Sequence, residues 1–467
     1  MSHSIRWSFQ QQIDWFRRQF AQHAGLPFAN ILPAAVIVTA LQTLGVPFYN
    51  SLYNPVTVLW LFLSQVIHAN PTLAVTVECF LAWRLTQGMS CCSTGTGAYA
   101  RARQRLPEAL LAMLTRHTGR EADRAALSQW RWLGRVVKLF DGSTVSMPDT
   151  PENQGAFPQS HTQAPGVGFP LARIGVLFSL AVGTVLELGI RRWAGKHQSE
   201  LAMLRDMIPS LEAGEVLLTD RYLCSYMEIA LLQRRGVDFV GQMHARRKVD
   251  FRRGRRLGPC DHVVEWNKPQ RQPDWMSAED YAALPETLTI REFRCRIIRK
   301  GYQTRTLVVA TTLLDAQQYP LDEIARLYRL RWDAEINLRS LKTMMHMDVL
   351  RCQTPDMVRK EIWAHLLAYN LIRTVIAQAA ARHEKDPRQI SFTRAMRTLE
   401  AFRPAIAHVP RGQLAELYEH MLTAIASHEI GNRPDRLEPR QRKRRPKPYK
   451  LMTTPRNQAR KQEAKKR

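Results

Sequence analysis

The sequence predicts an α/β protein in which a mixed sheet flanked by helices lies between two helical regions. Three observations predict it. From Trp132 to Met243, short runs rich in β-formers alternate with helix-spaced segments in the order strand, strand, strand, helix, strand, helix, strand. Residues 1 to about 120 and 355–427 carry apolar residues at helical spacing, with no internal repeat. With 45% apolar and 23% charged residues in 467, the chain can bury a sizeable core, and its length suggests about two to four domains.

Helical spacing predicts helices over 55–67, 73–85 and 94–115, with Gly88, Ser93 and Thr94 as turn and cap residues. The third contains Tyr99, Arg101, Arg103 and Arg105, which suits either entry into a DNA groove or a plain surface helix. The apolar run 136–140 predicts a first strand ending at Asp141-Gly142, and runs 173–181 and 185–191 predict two strands joined across Gly183. A helix over 201–211, a strand over 216–218 ending at Asp220, a helix over 227–235 and a strand over 237–243 complete the order. Residues 244–313 read as an all-β insertion. Seven of the eleven residues from Arg246 to Arg256 are basic, a Pro-rich stretch holds Trp266 and Trp275, and runs 287–298 and 304–313 form a hairpin around Gly301-Tyr302. After Pro320 a long helix is predicted from Leu321 past Met345. The layout is a helical N-terminal region, 1–125, an α/β core, 126–350, with its insertion at 244–313, a helical region, 351–430, and a basic tail, 431–467.

Charge narrows the partners. The 67 Lys and Arg against 41 Asp and Glu leave +26, which favours a polyanion, nucleic acid before an anionic membrane. From Arg433 to Arg467 there are 15 basic residues against 3 acids, interrupted by prolines; this reads as a disordered arm, either DNA-contacting or merely solvated. A spanning helix needs about 20 nearly uninterrupted apolar residues, whereas the most apolar stretch, 28–48, is broken by Asn30, Pro33, Thr39, Gln42 and Thr43. The polar run after Arg6 argues against a signal peptide. Seven scattered cysteines without a Cys-x-x-Cys pair fit a reducing cytoplasm better than a zinc or disulfide scaffold.

Chemistry concentrates on the helix from Leu321. At roughly 100° per residue, Tyr328, Arg331, Glu335 and Lys342 fall at about 0°, 300°, 340° and 320°, one polar stripe beside an arc of leucines and methionines. A carboxylate between two cations and a phenol suits phosphodiester chemistry, as a ligand for a hard cation with donors for phosphate oxygens; Arg331 and Glu335 are equally readable as an ordinary surface pair. Asp141 and Asp220 each close an apolar strand, where aspartates also serve turns. Three acids from two strands and a helix can hold two Mg²⁺ ions about 3.5–4 Å apart. His346 has no paired histidine at ligand spacing.

The string Tyr328-x-x-Arg331-x-x-x-Glu335-x-x-x-x-x-x-Lys342 resembles the Tyr-Arg-Glu-Lys signature of cut-and-paste DDE transposases of bacterial insertion sequences. The resemblance runs from about Leu139 to Met345, with Asp141-Gly142-Ser143 and Thr219-Asp220-Arg221 at the first two acid positions. It implies a ribonuclease H-like catalytic core with a β insertion before the last catalytic helix. It implies that Asp141, Asp220 and Glu335 are the catalytic acids and hold two Mg²⁺ ions, with Mn²⁺ able to substitute, while Tyr328, Arg331 and Lys342 contact DNA phosphates. The implied reaction is hydrolysis at the element's ends, hairpin formation by the freed 3′-OH, reopening, and strand transfer into target DNA. Partners would be double-stranded DNA and a second copy of the chain in a DNA-bound homodimer, with no membrane. The location would be cytoplasmic, at the nucleoid when DNA is bound. The first 125 residues would bind the DNA ends and the last helices would serve multimerisation. Relatives hold a flipped base on an aromatic of the insertion; Trp266 and Trp275 are the candidates here, with plain packing as the alternative. A nuclease of the same core without strand transfer, or an inactive DNA-binding derivative, are the alternative readings.

Overall fold

The N-terminal helices are α1 (Ala34–Thr43), α2 (Pro55–Ile67), α3 (Leu73–Thr86), α4 (Gly97–Arg105) and α5 (Glu108–Arg124) in the computed structural model, which describes residues 28, 30–47, 51–68, 72–86, 88–244, 246–297, 305–430 and 451–465. The polar run after Arg6, the Gly301-Tyr302 turn and residues 431–450 and 466–467 of the basic tail lie outside the described residues. The helix expected over 94–115 is two helices, because Pro107 removes a backbone donor and Leu106 before it is extended (φ −66°, ψ 122°). Within α4, Tyr99 is fully buried, and its hydroxyl donates to Gln65 Oε1 at 3.0 Å. Arg103 donates to the same oxygen and stacks on Phe62, so only Arg101 and Arg105 of that basic set remain exposed.

Strand β1 (Val137–Ser146) outruns its apolar stretch. The expected end at Asp141 is not a strand end, since β2 (Leu171–Ser179) pairs along β1 from Lys138↔Ser179 to Ser146↔Leu171 and keeps its polar half extended. Helix α6 (Pro151–Ala156) lies between them; β3 (Val185–Arg192), α7 (Glu200–Met207), β4 (Val216–Thr219), α8 (Tyr226–Arg234) and β5 (Asp238–Gln242) follow, matching the element order read from sequence. The insertion holds β6 (Arg255–Gly258), β7 (Asp261–Asn267), the single-turn α9 (Ala278–Ala282), β8 (Thr287–Ile297) and β9 (Arg305–Thr311). It is no separate sheet. Strand β9 pairs antiparallel with β5, giving one nine-stranded mixed sheet in the order β3-β2-β1-β4-β5-β9-β8-β7-β6. The fold is the ribonuclease H-like mixed sheet flanked by helices.

Alternation along the strands divides the core in two. Phe140, Leu177, Leu217 and Phe239 pack with Met203, Leu204 and Met207 of α7 and Met227, Ile229 and Ala230 of α8 on one face. Leu139, Val176, Leu218 and Val240 face the other helical layer. That layer contains α10 (Leu321–Leu330) and α11 (Trp332–Arg339), then a π turn (Ser340–Met344), where one long helix was expected. Arg331 stays helical (φ −51°, ψ −32°) at the junction, so the division is local. The layer continues with the buried α12 (Pro355–Arg382), followed by α13 (Phe392–His408) and α14 (Leu414–Ala426). Within the tail, α15 (Arg456–Ala464) forms after Pro455, contrary to the expectation of no helix; no proline falls inside it, and Pro455 sits at its N-cap.

Candidate active site

Strand β4 is only four residues long, and its parallel pairing with β1 ends at Leu139↔Leu218. Asp141 and Asp220 each stand two residues beyond that last pair, so register alone places them on either side of the notch where pairing stops. Asp220 caps the following turn, with Oδ1 accepting the N–H groups of Tyr222 at 2.9 Å and Leu223 at 3.3 Å. Asp141 accepts the Gly142 N–H at 2.8 Å. Its carboxyl is pushed up to about 6, first by burial and further by the charges of Asp220 and Glu335, against the lowering pull of the Gly142 bond and Arg331. The three acids therefore share one electrostatic neighbourhood.

Glu335 enters from α11, which packs against β1. Its Oε1 accepts from Arg331 Nη2 at 2.7 Å. Burial works against the Arg331 charge, but the bond to Glu335 and the neighbouring Tyr328, Glu335 and Asp141 outweigh it and raise its pKa. Tyr328 is buried, its hydroxyl directed to Gln242 Oε1 at the end of β5 at 3.4 Å, and burial pushes it up to about 12. Lys342, in the π turn, donates to Ser143 Oγ at 3.0 Å; burial lowers its pKa. The stripe read from helical spacing thus meets β1 at one end and β5 at the other.

Residues 132–371, just over half of the chain, match the family described as "Transposase DDE domain". The chain belongs to that family. It is 28% identical over 330 residues, 68% of this chain and 70% of the relative, to the transposase InsG for insertion sequence element IS4 of Escherichia coli strain K12. Over 85 residues, 17% of this chain and 23% of the relative, it is 38% identical to the transposase for insertion sequence element IS421 of Escherichia coli. The chain is a DDE transposase of the bacterial insertion-sequence type, a class of DNA-cleaving and strand-transferring enzymes that generally uses divalent metals.

The acids of this transposase domain suit a hard cation by donor chemistry, since all are carboxylates and the charges of Asp220 and Glu335 both bear on Asp141. As they stand, no group of three His, Cys, Asp or Glu among the described residues is close enough to hold an ion. The Arg331 guanidinium is the cation bonded to Glu335, through Oε1 alone. Trp266 is no free platform: it is 3% exposed, donates from Nε1 to Glu292 at 2.6 Å and carries the Arg247 guanidinium 3.6 Å from its ring. Trp275 is half-buried under Arg205 at 3.7 Å. The exposed aromatics next in sequence to Arg331 and Arg221 are Trp332 and Tyr222, which the sequence reading did not offer as base platforms; that adjacency was the available signal. His346 is exposed in a left-handed conformation (φ 58°) after the π turn. Of the basic cluster, Arg246, Lys248, Arg252, Arg253, Arg255 and Arg256 are exposed. Among the described residues no helix is long and apolar enough to cross a membrane.

Proposed function

We propose that this transposase cleaves DNA at the ends of its own insertion sequence in a Mg²⁺-dependent reaction and transfers the freed 3′-OH ends into target DNA through hairpin intermediates. The observation that supports this reading is that Asp220 and Glu335 both act on the Asp141 carboxyl beside the notch where the pairing of β1 with β4 stops, with Arg331 in the same field. Bound divalent ions would supply charge neutralisation at the attacking and leaving oxygens. Asp141, Asp220 and Glu335 are the residues that would hold them. Arg331, once released from Glu335, and Lys342, on its Ser143 tether, supply permanent donors for phosphate oxygens. Tyr328 joins them by exchanging Gln242 for a phosphate oxygen. Trp332 and Tyr222 offer apolar surface on which a base leaving the stack can rest. The exposed cluster 246–256 follows the DNA backbone, residues 1–125 bind the element's ends, and residues 351–430 join two copies into the DNA-bound homodimer.

The test uses the full chain, Mg²⁺ and a DNA fragment ending in the inverted repeats that flank its gene. Strand transfer of a pre-cleaved end into a plasmid is expected. Hydrolysis without joining would replace this reading with that of a nuclease.

A further inference from the structure

Helix α4 spends one of its arginines on packing and leaves two free. Arg103 donates to Gln65 Oε1 at 3.0 Å and lies 4.8 Å from the Phe62 ring centre. Arg101 and Arg105, one turn apart, are exposed and have no hydrogen bond or ion pair among the described residues. The nearest acid along the chain does not answer them. Glu108, three residues after Arg105, is held by Arg359 at 2.8 and 2.9 Å and by the Trp363 indole at 3.0 Å.

The two free arginines line a groove of about 600 Å³, together with Tyr53 and the small residues Gly95, Gly97 and Ala98. Among the described residues that line it there is no acid. The Tyr53 ring packs against Phe80 and Tyr99, with centres 5.8 and 5.9 Å apart, while its hydroxyl is closed off from solvent and has no hydrogen-bond partner among the described residues. Buried hydroxyls are ordinarily paired, so this wall of the groove holds a donor left over.

We propose that this groove takes the sugar–phosphate backbone of DNA at the element's end, with Arg101 and Arg105 neutralising neighbouring phosphates and reading no base. This inference rests on the end-binding reading of residues 1–125 under Proposed function. A guanidinium with no carboxylate to give up binds phosphate without first breaking a bond. Residues four apart on a helix bring their Cβ atoms to roughly 5–6 Å, so both arginines can serve one strand. Glycine and alanine put nothing larger than a methyl group in its way. The lining includes no Asn, Gln, Asp or Glu, the side chains that read adenine and cytosine edges, which points to positioning rather than sequence readout. A merely solvated helix face is the competing explanation. It accounts for two exposed arginines, but not for their meeting in one concave, acid-free space beside an unpaired hydroxyl.

The test follows binding of the full chain to two labelled duplexes by fluorescence anisotropy over a KCl series in EDTA, one duplex ending in the inverted repeat that flanks its gene and one of scrambled sequence. Arg101→Gln and Arg105→Gln are each expected to reduce the slope of log affinity against log salt by about one and to weaken both duplexes alike, by roughly three- to tenfold. Replacing both arginines by lysine should keep the slope. Ala98→Trp fills the groove with the charge unchanged and is expected to weaken both duplexes. An unaltered slope in both glutamine variants overturns the proposal, as does a loss confined to the inverted-repeat duplex, which would make these arginines readers of bases. Full affinity in Ala98→Trp alongside losses in the glutamine variants traces the effect to net charge and overturns it too. If the unaltered chain does not prefer the inverted repeat, the end-binding reading fails, and the slopes still decide whether the groove holds DNA backbone.

Discussion

Two arginine–carboxylate pairs in this molecule share their chemistry and differ in everything else. In the insertion, Arg291 of β8 grips both oxygens of Asp261 at 2.9 and 2.7 Å, gives a third bond to the Tyr319 carbonyl at 2.7 Å, and is 1% exposed against 6% for its partner. In the site, Arg331 makes one bond to Glu335 at 2.7 Å, and the side chains are 15% and 40% exposed. The first pair is closed. Its desolvation is compensated only while every bond is kept, and diagonal placement on adjacent strands, two residues off the direct pairing, holds it. The second is open, spans one helical turn, and leaves a carboxylate oxygen facing solvent, so a competing cation or phosphate can take either partner. The difference lies in saturation, which decides whether an ion pair serves as a fastening or as a ligand in waiting.

Breaking the open pair has the largest expected effect. Glu335→Gln should lower end cleavage by on the order of 10³-fold or more while end binding, read by mobility shift, stays within a few-fold. Loss of binding with unchanged cleavage would reverse the assignment. Breaking the closed pair moves a different observable. Asp261→Asn strands a buried guanidinium and should cost about 3–5 kcal/mol in urea unfolding, with cleavage per folded molecule unchanged. If the two variants exchange phenotypes, the contrast between fastening and ligand is wrong.

The smallest effect sharpens the electrostatics of the open region. Asp141 holds its proton more tightly when folded, up to about 6 against an ordinary 3.8, so the native state binds more protons than the unfolded chain between those values. Stability of the metal-free protein should therefore fall as pH rises through that window, by at most about 1.4 kcal/mol per pH unit, and level off above it. Asp141→Asn should reduce the slope, measured by urea midpoints in EDTA, leaving the part that the raised Glu200, Glu215 and Asp333 carboxyls contribute.

What was legible in sequence was what depends on neighbours along the chain. The stripe from Tyr328 to Lys342 follows from helical spacing, and Asp220 was placed at a strand end because three apolar residues and Thr219 run into a capping acid. Asp141 was located but given the wrong setting. Asp-Gly reads as a turn, yet the antiparallel ladder with a strand some thirty residues later keeps it extended. The joining of the insertion to the central sheet through β9 and β5 was hidden for the same reason. The division at Pro107 was the opposite case, a local signal outweighed by apolar periodicity on both sides.

The shortness of β4 has a further consequence. Because the acids on β1 and after β4 are aligned by backbone pairing, the site is tuned by counting residues, and its tolerance to length change is far lower than its tolerance to side-chain change. One extra residue between Val137 and Asp141 would turn that carboxylate toward α7 and present its neighbour to Glu335. Point substitutions elsewhere in the strand would leave the alignment as it is, so insertions and deletions in this short stretch are the changes that silence the enzyme outright.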